Sequence, residues 1–247
     1  MISSKIIILF IGTFFAATLV FIDPAWSSQN SKNSPGETNT KIRVLVDQVS
    51  RKNLLETLTY LTSFKNRSSY EVQEEVLIFI AGDLGNAGAA IRFHDYEFDG
   101  RIWHNLVATV PGDASFDQGE PYLVVGAHVD SVSTSPGADD NASGVSAIME
   151  TARVLAGAKL PMRVDFVFFT REEVGPKGSS FYAADAKASK AAIKAMIAVD
   201  MVGFDSSGGD LDLVTKPSMD WIVKDYKAAS DVYTQLSTTA VIKENCG

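Results

Sequence analysis

Three short apolar runs constrain this chain more than any other feature. Residues 122–126 (YLVVG), 164–170 (VDFVFFT) and 195–199 (AMIAV) are apolar at nearly every position rather than at alternate ones. A strand with one wet face alternates, whereas a strand apolar on both faces fits a sheet covered by helices on either side. Helical stretches lie between and after these runs, at 143–156, at 179–188 and from 191 into 195. Strands alternating with helices predict an α/β fold, with a mostly parallel central sheet flanked by helices on both faces. Upstream, 42–49 and 54–61 carry apolar residues at helical spacing, and 68–71 (SSYE) reads as a capping box opening a helix to about residue 84. Residues 91–98 read as an outer strand and 106–110 as a second one, ended by Pro111-Gly112. Further on, 211–215 reads as a strand and 218–234 as a helix.

The polar residues fall at the ends of these runs. His128-Val129-Asp130 closes the first, Arg171-Glu172-Glu173 the second and Asp200 the third, while Asp139-Asp140 immediately precede the helix at 143–156. Open α/β sheets bind ligands outside the carboxyl ends of their strands. His128, Asp140, the glutamate pair and Asp200 are therefore expected in one crevice. One imidazole with several carboxylates and no thiolate suits zinc, and less specifically manganese or cobalt. Crowded carboxylates repel one another without cations between them. Two divalent ions about 3.5–4 Å apart, bridged by a carboxylate, would resolve that repulsion and form a hydrolytic centre. Of two adjacent glutamates, one can ligate while the other serves as a base. A metal-bound imidazole usually donates its second N–H to a carboxylate, and Asp130 is placed to be that partner or a more indirect support.

Composition narrows the function classes. The net charge of −8 and the sequence pI near 4.9 argue against a nucleic-acid partner. A single cysteine, Cys246, excludes an internal disulfide scaffold and a cysteine zinc cluster. Of the three histidines, His94 and His104 lie upstream of the acids and read as structural or surface residues. Residues 1–27 hold Lys5, an apolar run over 6–22 and a small-residue stretch, which together read as a secretory signal peptide or, uncleaved, a membrane anchor. The expected destination is therefore secreted or periplasmic, with no stable membrane partner once the signal is removed. Residues 28–40 read as a flexible leader. Asn66-Arg67-Ser68 and Asn141-Ala142-Ser143 match the glycosylation sequon, a pattern common by chance. The glycines between 82 and 88 do not open a helix after a strand and make no dinucleotide loop.

An ordered set of motifs says more than any one of them: 105–112 (NLVATVPG), 126–131 (GAHVDS), 137–144 (GADDNASG), 169–179 (FTREEVGPKGS) and 198–203 (AVDMVG). Over roughly 54–204 the chain resembles the co-catalytic two-zinc aminopeptidases of the secreted bacterial leucyl-aminopeptidase type, relatives of glutaminyl cyclases and glutamate carboxypeptidases. The resemblance implies an enzyme that hydrolyses the N-terminal residue from peptides with a free N-terminus. By it, His128 and Asp200 would hold one zinc, Asp140 would bridge both ions, Glu173 would ligate the second, and Glu172 would be the general base. Asp140 is chosen over Asp139 by registering the motif on Ser143-Gly144, and a cis peptide is implied at Asp140–Asn141. The family's histidine for the second zinc lies far downstream, and no histidine follows His128 here. The expectation is a catalytic domain over 41–247 that lacks its C-terminal portion; the alternative is a natural chain with one zinc or none. Glutaminyl cyclase-like acyl transfer with one zinc is a second reading, disfavoured by Glu172-Glu173 followed by Gly175 and Gly178-Ser179. A non-catalytic binding domain is a third, against which the intact His128, Asp140, Glu172, Glu173 and Asp200 count.

Overall fold

Two of the three apolar runs, within 122–128 and 164–169, become strands buried on both faces, but the third, within 193–198, is an edge strand of the described sheet with Met196 44% exposed, so it does not carry the two-sided burial expected of it. The computed structural model describes residues 39–112, 119–204, 210–234 and 237–243; the expected signal peptide and most of the expected leader lie outside them. In chain order the elements are α1 (Thr40–Val46), α2 (Arg51–Ser63), α3 (Tyr70–Asn86), β1 (Ala90–Phe98), β2 (Arg101–Val110), β3 (Tyr122–His128), a π-type turn (Ala138–Ser143), α4 (Gly144–Ala156), β4 (Val164–Phe169), α5 (Lys177–Ala188), β5 (Ile193–Ala198), β6 (Asp210–Thr215), α6 (Asp220–Tyr233) and β7 (Ser237–Ile242). Thr40 is already helical and Asn39 caps α1 through its side chain, so the expected leader runs one residue too far. Contacts divide the chain into two compact units, 52–203 and the segments on either side of it.

In the larger unit the strand order is β1-β2-β4-β3-β5. β3 pairs in parallel with β4 and β5, while β1–β2 and β2–β4 are antiparallel. The α/β class holds, but the sheet is mixed rather than mostly parallel. The reason is local: Asp99 and Gly100 both take positive φ, 53° and 68°. They join paired Phe98 and Arg101 in a two-residue hairpin, the turn whose twist suits antiparallel strands. The stretch from 191 into 195, expected as helical, is instead the approach to β5 and its first three residues; α5 ends at Ala188 and Lys190 turns the chain at φ 54°.

Alternation assigns the two faces. Val107, Tyr122, Val124, Val167 and Phe169 pack with Tyr182 of α5 on one face. Leu106, Ala108, Leu123, Val125, Phe166 and Phe168 point the other way and are fully buried on the side of α3 and α4. Each buried Leu, Val or Phe among them contributes about 1.5–3 kcal/mol relative to exposure. Gly126 makes room for the first face, since a Cβ there would sit 2.5 Å from Phe169 Cε2. One acid interrupts the apolar pattern: buried Asp165 accepts from Thr109 Oγ1 at 2.8 Å and from Arg163 Nε and Nη2 at 3.0 and 2.8 Å. The cap of α3 is Ser69, whose hydroxyl accepts from Val72 N, one residue later than the expected capping box. Ser68 instead donates to Asn66 Oδ1 at 2.7 Å.

In the smaller unit, β6 and β7 form a parallel pair on which α6 packs, burying Val223, Tyr226, Ala229 and Tyr233. Arg43 of α1 donates to the carbonyls of Val232 and Tyr233 at the end of α6. β7 was not anticipated from the sequence. Among the described residues no helix is long and apolar enough to cross a membrane.

Candidate metal centre

Three strand ends and one turn build the site. His128 is the last residue of β3 and is buried, 6% exposed. Its Nε2 lies 3.0 Å from Asp140 Oδ1 and 3.5 Å from Asp200 Oδ1. One ligand atom from each of the three lies within 4.8 Å of the others. Asp140 and Asp200 are half-exposed, so the cluster is walled on the imidazole side and open on the carboxylate side, where a cation could enter.

The turn carrying Asp140 is tied to the strand end carrying Asp200. Asn141, buried, donates from Nδ2 to Val199 O at 2.9 Å and accepts at Oδ1 from Gly144 N at 3.0 Å. The Asp140–Asn141 peptide is cis. Asp139 is engaged elsewhere: its Oδ1 accepts from Gly203 N at 2.7 Å. It is thus Asp140 that meets His128.

Glu172 and Glu173 follow β4 through Arg171, which takes φ 61°. Asp130 holds them by their backbones, its Oδ1 accepting from Glu172 N at 3.1 Å and its Oδ2 from Glu173 N at 3.0 Å. Asp130 Oδ1 also lies 3.4 Å from His128 Nδ1, a buried atom with no closer partner. The carboxylate expected to orient the imidazole therefore has a second task, fixing the glutamate turn. Glu173 is not part of the three-residue ligand group; its Oε1 accepts from Val132 N at 3.0 Å. On the far side Asn105 of β2 clamps the same loop, accepting from Thr170 N at 3.0 Å and donating to Gly178 O at 2.9 Å.

The electrostatics follow from crowding. Burial alone would lower the His128 pKa, but the carboxylates of Asp130 and Asp200 more than offset it and raise it to about 10. Desolvation raises Glu172, and the charges of Asp130, Asp200 and Asp140 raise it further, while His128 opposes them. Glu173 is raised by desolvation and by Asp140. The acids thus favour positive charge in their midst. A nitrogen and carboxylate oxygens with no thiolate form a donor set that fits zinc.

The other histidines are occupied elsewhere. His94 Nε2 is 3.0 Å from Asp185 Oδ2, and His104 Nδ1 is 2.8 Å from Asp95 Oδ1. Neither sequon offers a free amide: Asn66 Nδ2 donates to Ser133 O at 3.0 Å, and Asn141 is buried. Sequence reasoning also missed Arg67, which is wholly buried and bonded to the loop that follows His128. No local pattern marks it.

Fold and site together define an α/β protein with a histidine–carboxylate cluster that could hold a cation at the carboxyl ends of its parallel strands. Residues 105–247 match the profile of peptidase family M28, and the chain belongs to that family. It is 28% identical over 228 residues to leucine aminopeptidase 1 of Arthroderma otae, covering 83% of this chain and 57% of that protein. The chain thus spans little more than half the length of that relative. In three dimensions it resembles the LapA aminopeptidase of Legionella pneumophila, with a TM-score of 0.70 at 22% identity over 84% of this chain and 59% of that one. It also resembles glutaminyl cyclase of Porphyromonas gingivalis, with a TM-score of 0.59 at 21% identity over 80% and 77%. These two likenesses show the fold.

Proposed function

We propose that this chain is the core of a zinc-dependent aminopeptidase acting on peptides with a free N-terminus. The observation that carries the reading is the His128–Asp140–Asp200 cluster at the strand ends of a chain in a peptidase family. These three would hold one zinc, and Asp140 with Glu173 would reach a second. Bound there, zinc polarises a carbonyl, makes water a better nucleophile and stabilises negative charge on oxygen.

The chain's own residues do the rest. Glu172 is the general base: it takes a proton from the attacking water and returns it to the leaving amine. Its surroundings suit the task, because burial and neighbouring acids hold its carboxyl above the usual range. Asp130 aims Glu172 by accepting from its backbone N–H while it faces the His128 ring. The half-exposed carboxylates of Asp140 and Asp200 leave the mouth open to substrate. Residues 1–27 would direct export to the periplasm or the exterior.

The test is metal content together with hydrolysis of leucyl amides, before and after chelation. Zinc in the purified chain and turnover that a chelator removes and Zn2+ restores are expected. Turnover indifferent to the chelator would overturn the reading, and cyclisation of N-terminal glutaminyl peptides in its place would assign the site to the cyclase branch.

A further inference from the structure

Arg67 is fully buried, yet among the described residues no carboxylate comes within ion-pairing distance of it. Burying a charge is costly unless its donors are all satisfied. Here four of the five guanidinium N–H groups find acceptors, and all four acceptors are backbone carbonyls. Arg67 Nε donates to Val129 O at 2.7 Å, Nη1 to Leu61 O at 3.1 Å and to Pro136 O, and Nη2 to Gly137 O at 3.0 Å. Its own N–H donates to Ser131 Oγ at 2.9 Å. Burial lowers its pKa to about 10, partly offset by Asp130, Asp140 and Glu173, so the guanidinium stays charged at neutral pH.

The acceptors are placed to matter for the site. Val129 directly follows the ligand His128. Gly137 O is shared, since it also accepts from Ala142 N at 3.0 Å, inside the turn that carries Asp140. Gly137 itself takes φ 60°, and a Cβ there would lie 2.2 Å from Asp140 O and 3.0 Å from Arg67 Nη2. A single rigid fork thus grips both ends of the 129–137 loop. An ammonium cannot replace it, because three donors on one atom do not span carbonyls held by a planar guanidinium.

We propose that Arg67 is a positioning residue for the metal ligands: it splints the two ends of the 129–137 loop and so sets His128 against Asp140. The proposal rests on the metal-centre reading above. Residues that orient metal ligands typically change metal affinity by about 10–100-fold when removed. The full chain is titrated with Co2+, followed by its visible absorption, and with Zn2+ in competition. If the unaltered chain binds neither ion, the metal-centre reading itself falls. If it binds, Arg67→Met and Arg67→Lys should each weaken Co2+ binding by about tenfold or more and alter the absorption envelope, well below their melting temperatures. Arg153→Met, which breaks a pair with Glu150 in α4, serves as a stability control; it should lower the melting temperature and leave Co2+ binding unchanged. Arg67 variants that lose only melting temperature, or Arg67→Lys with normal binding and spectrum, overturn the proposal. Should neither variant fold, the Arg67 Nε resonance of the unaltered chain decides: it should resist solvent exchange and shift on Zn2+ addition, and an unmoved resonance overturns the proposal.

Discussion

Replacing Asp130 by asparagine tests the frame on which the site rests. The side chain is 3% exposed and accepts two backbone hydrogen bonds, from Glu172 N at 3.1 Å and Glu173 N at 3.0 Å. An asparagine of the same shape keeps one acceptor oxygen and turns an NH2 group toward the other amide. One charge-assisted bond, normally contributing about 1.5–3 kcal/mol, is lost and two donors are left facing each other. The remaining bond weakens because its acceptor is no longer charged. The expected cost is about 3 kcal/mol, which for a chain of this size lowers the melting temperature by roughly 6–12 °C. Thermal denaturation followed by circular dichroism, in chelator-treated buffer, measures it. Zn2+ affinity should fall in the same variant, because His128 Nδ1 loses the carboxylate 3.4 Å away. A variant that melts within about 1 °C of the parent would refute the reasoning, since two buried amides would then have no need of the carboxylate.

Two further outcomes are expected. Glu172→Ala should keep its bound zinc, measured by elemental analysis, and lose turnover by about 10²–10⁴-fold, the usual range for a general base; near-normal turnover would remove Glu172 from that role. Glu74 is raised above the usual carboxylate range by burial, with Asp95 adding to it and His104 opposing, and its Oε1 is buried without a partner. A carboxyl held high in the folded state stabilises it at acid pH, and that contribution is lost as pH rises from about 4.5 through the raised value. Glu74→Gln should therefore melt with the parent at pH 4 and above it at pH 7; an equal gap at both pH values would contradict the burial argument.

Much of the architecture was legible because the signals are local. Runs apolar at nearly every position mark strands buried on both faces in β3 and β4, where Leu123, Val125, Phe166 and Phe168 are wholly buried, but not in β5, where Met196 is exposed because no further described strand pairs beyond it. The mixed sheet was missed although its signal was present: Asp99-Gly100 between two β-rich runs is a hairpin signature. β5 was misjudged at its start because alanine-rich sequence favours helix, while pairing of Tyr122 with Ile193 draws the segment into the sheet.

The sequence by itself determined that acids and one histidine stand at the carboxyl ends of apolar strands, and in family order. Period and chain position are properties of neighbouring residues, and no folding is needed to read them. Only the tertiary structure decided which atoms meet. It placed Asp140 rather than Asp139 against His128, and gave Glu173 a backbone partner at Val132. It bonded Asp130 to amides 42 and 43 residues away, and Arg67 to carbonyls as far as 70 residues away. Such partners are chosen by buried groups that must find hydrogen bonds wherever the fold brings them. Sequence spacing carries no record of that choice.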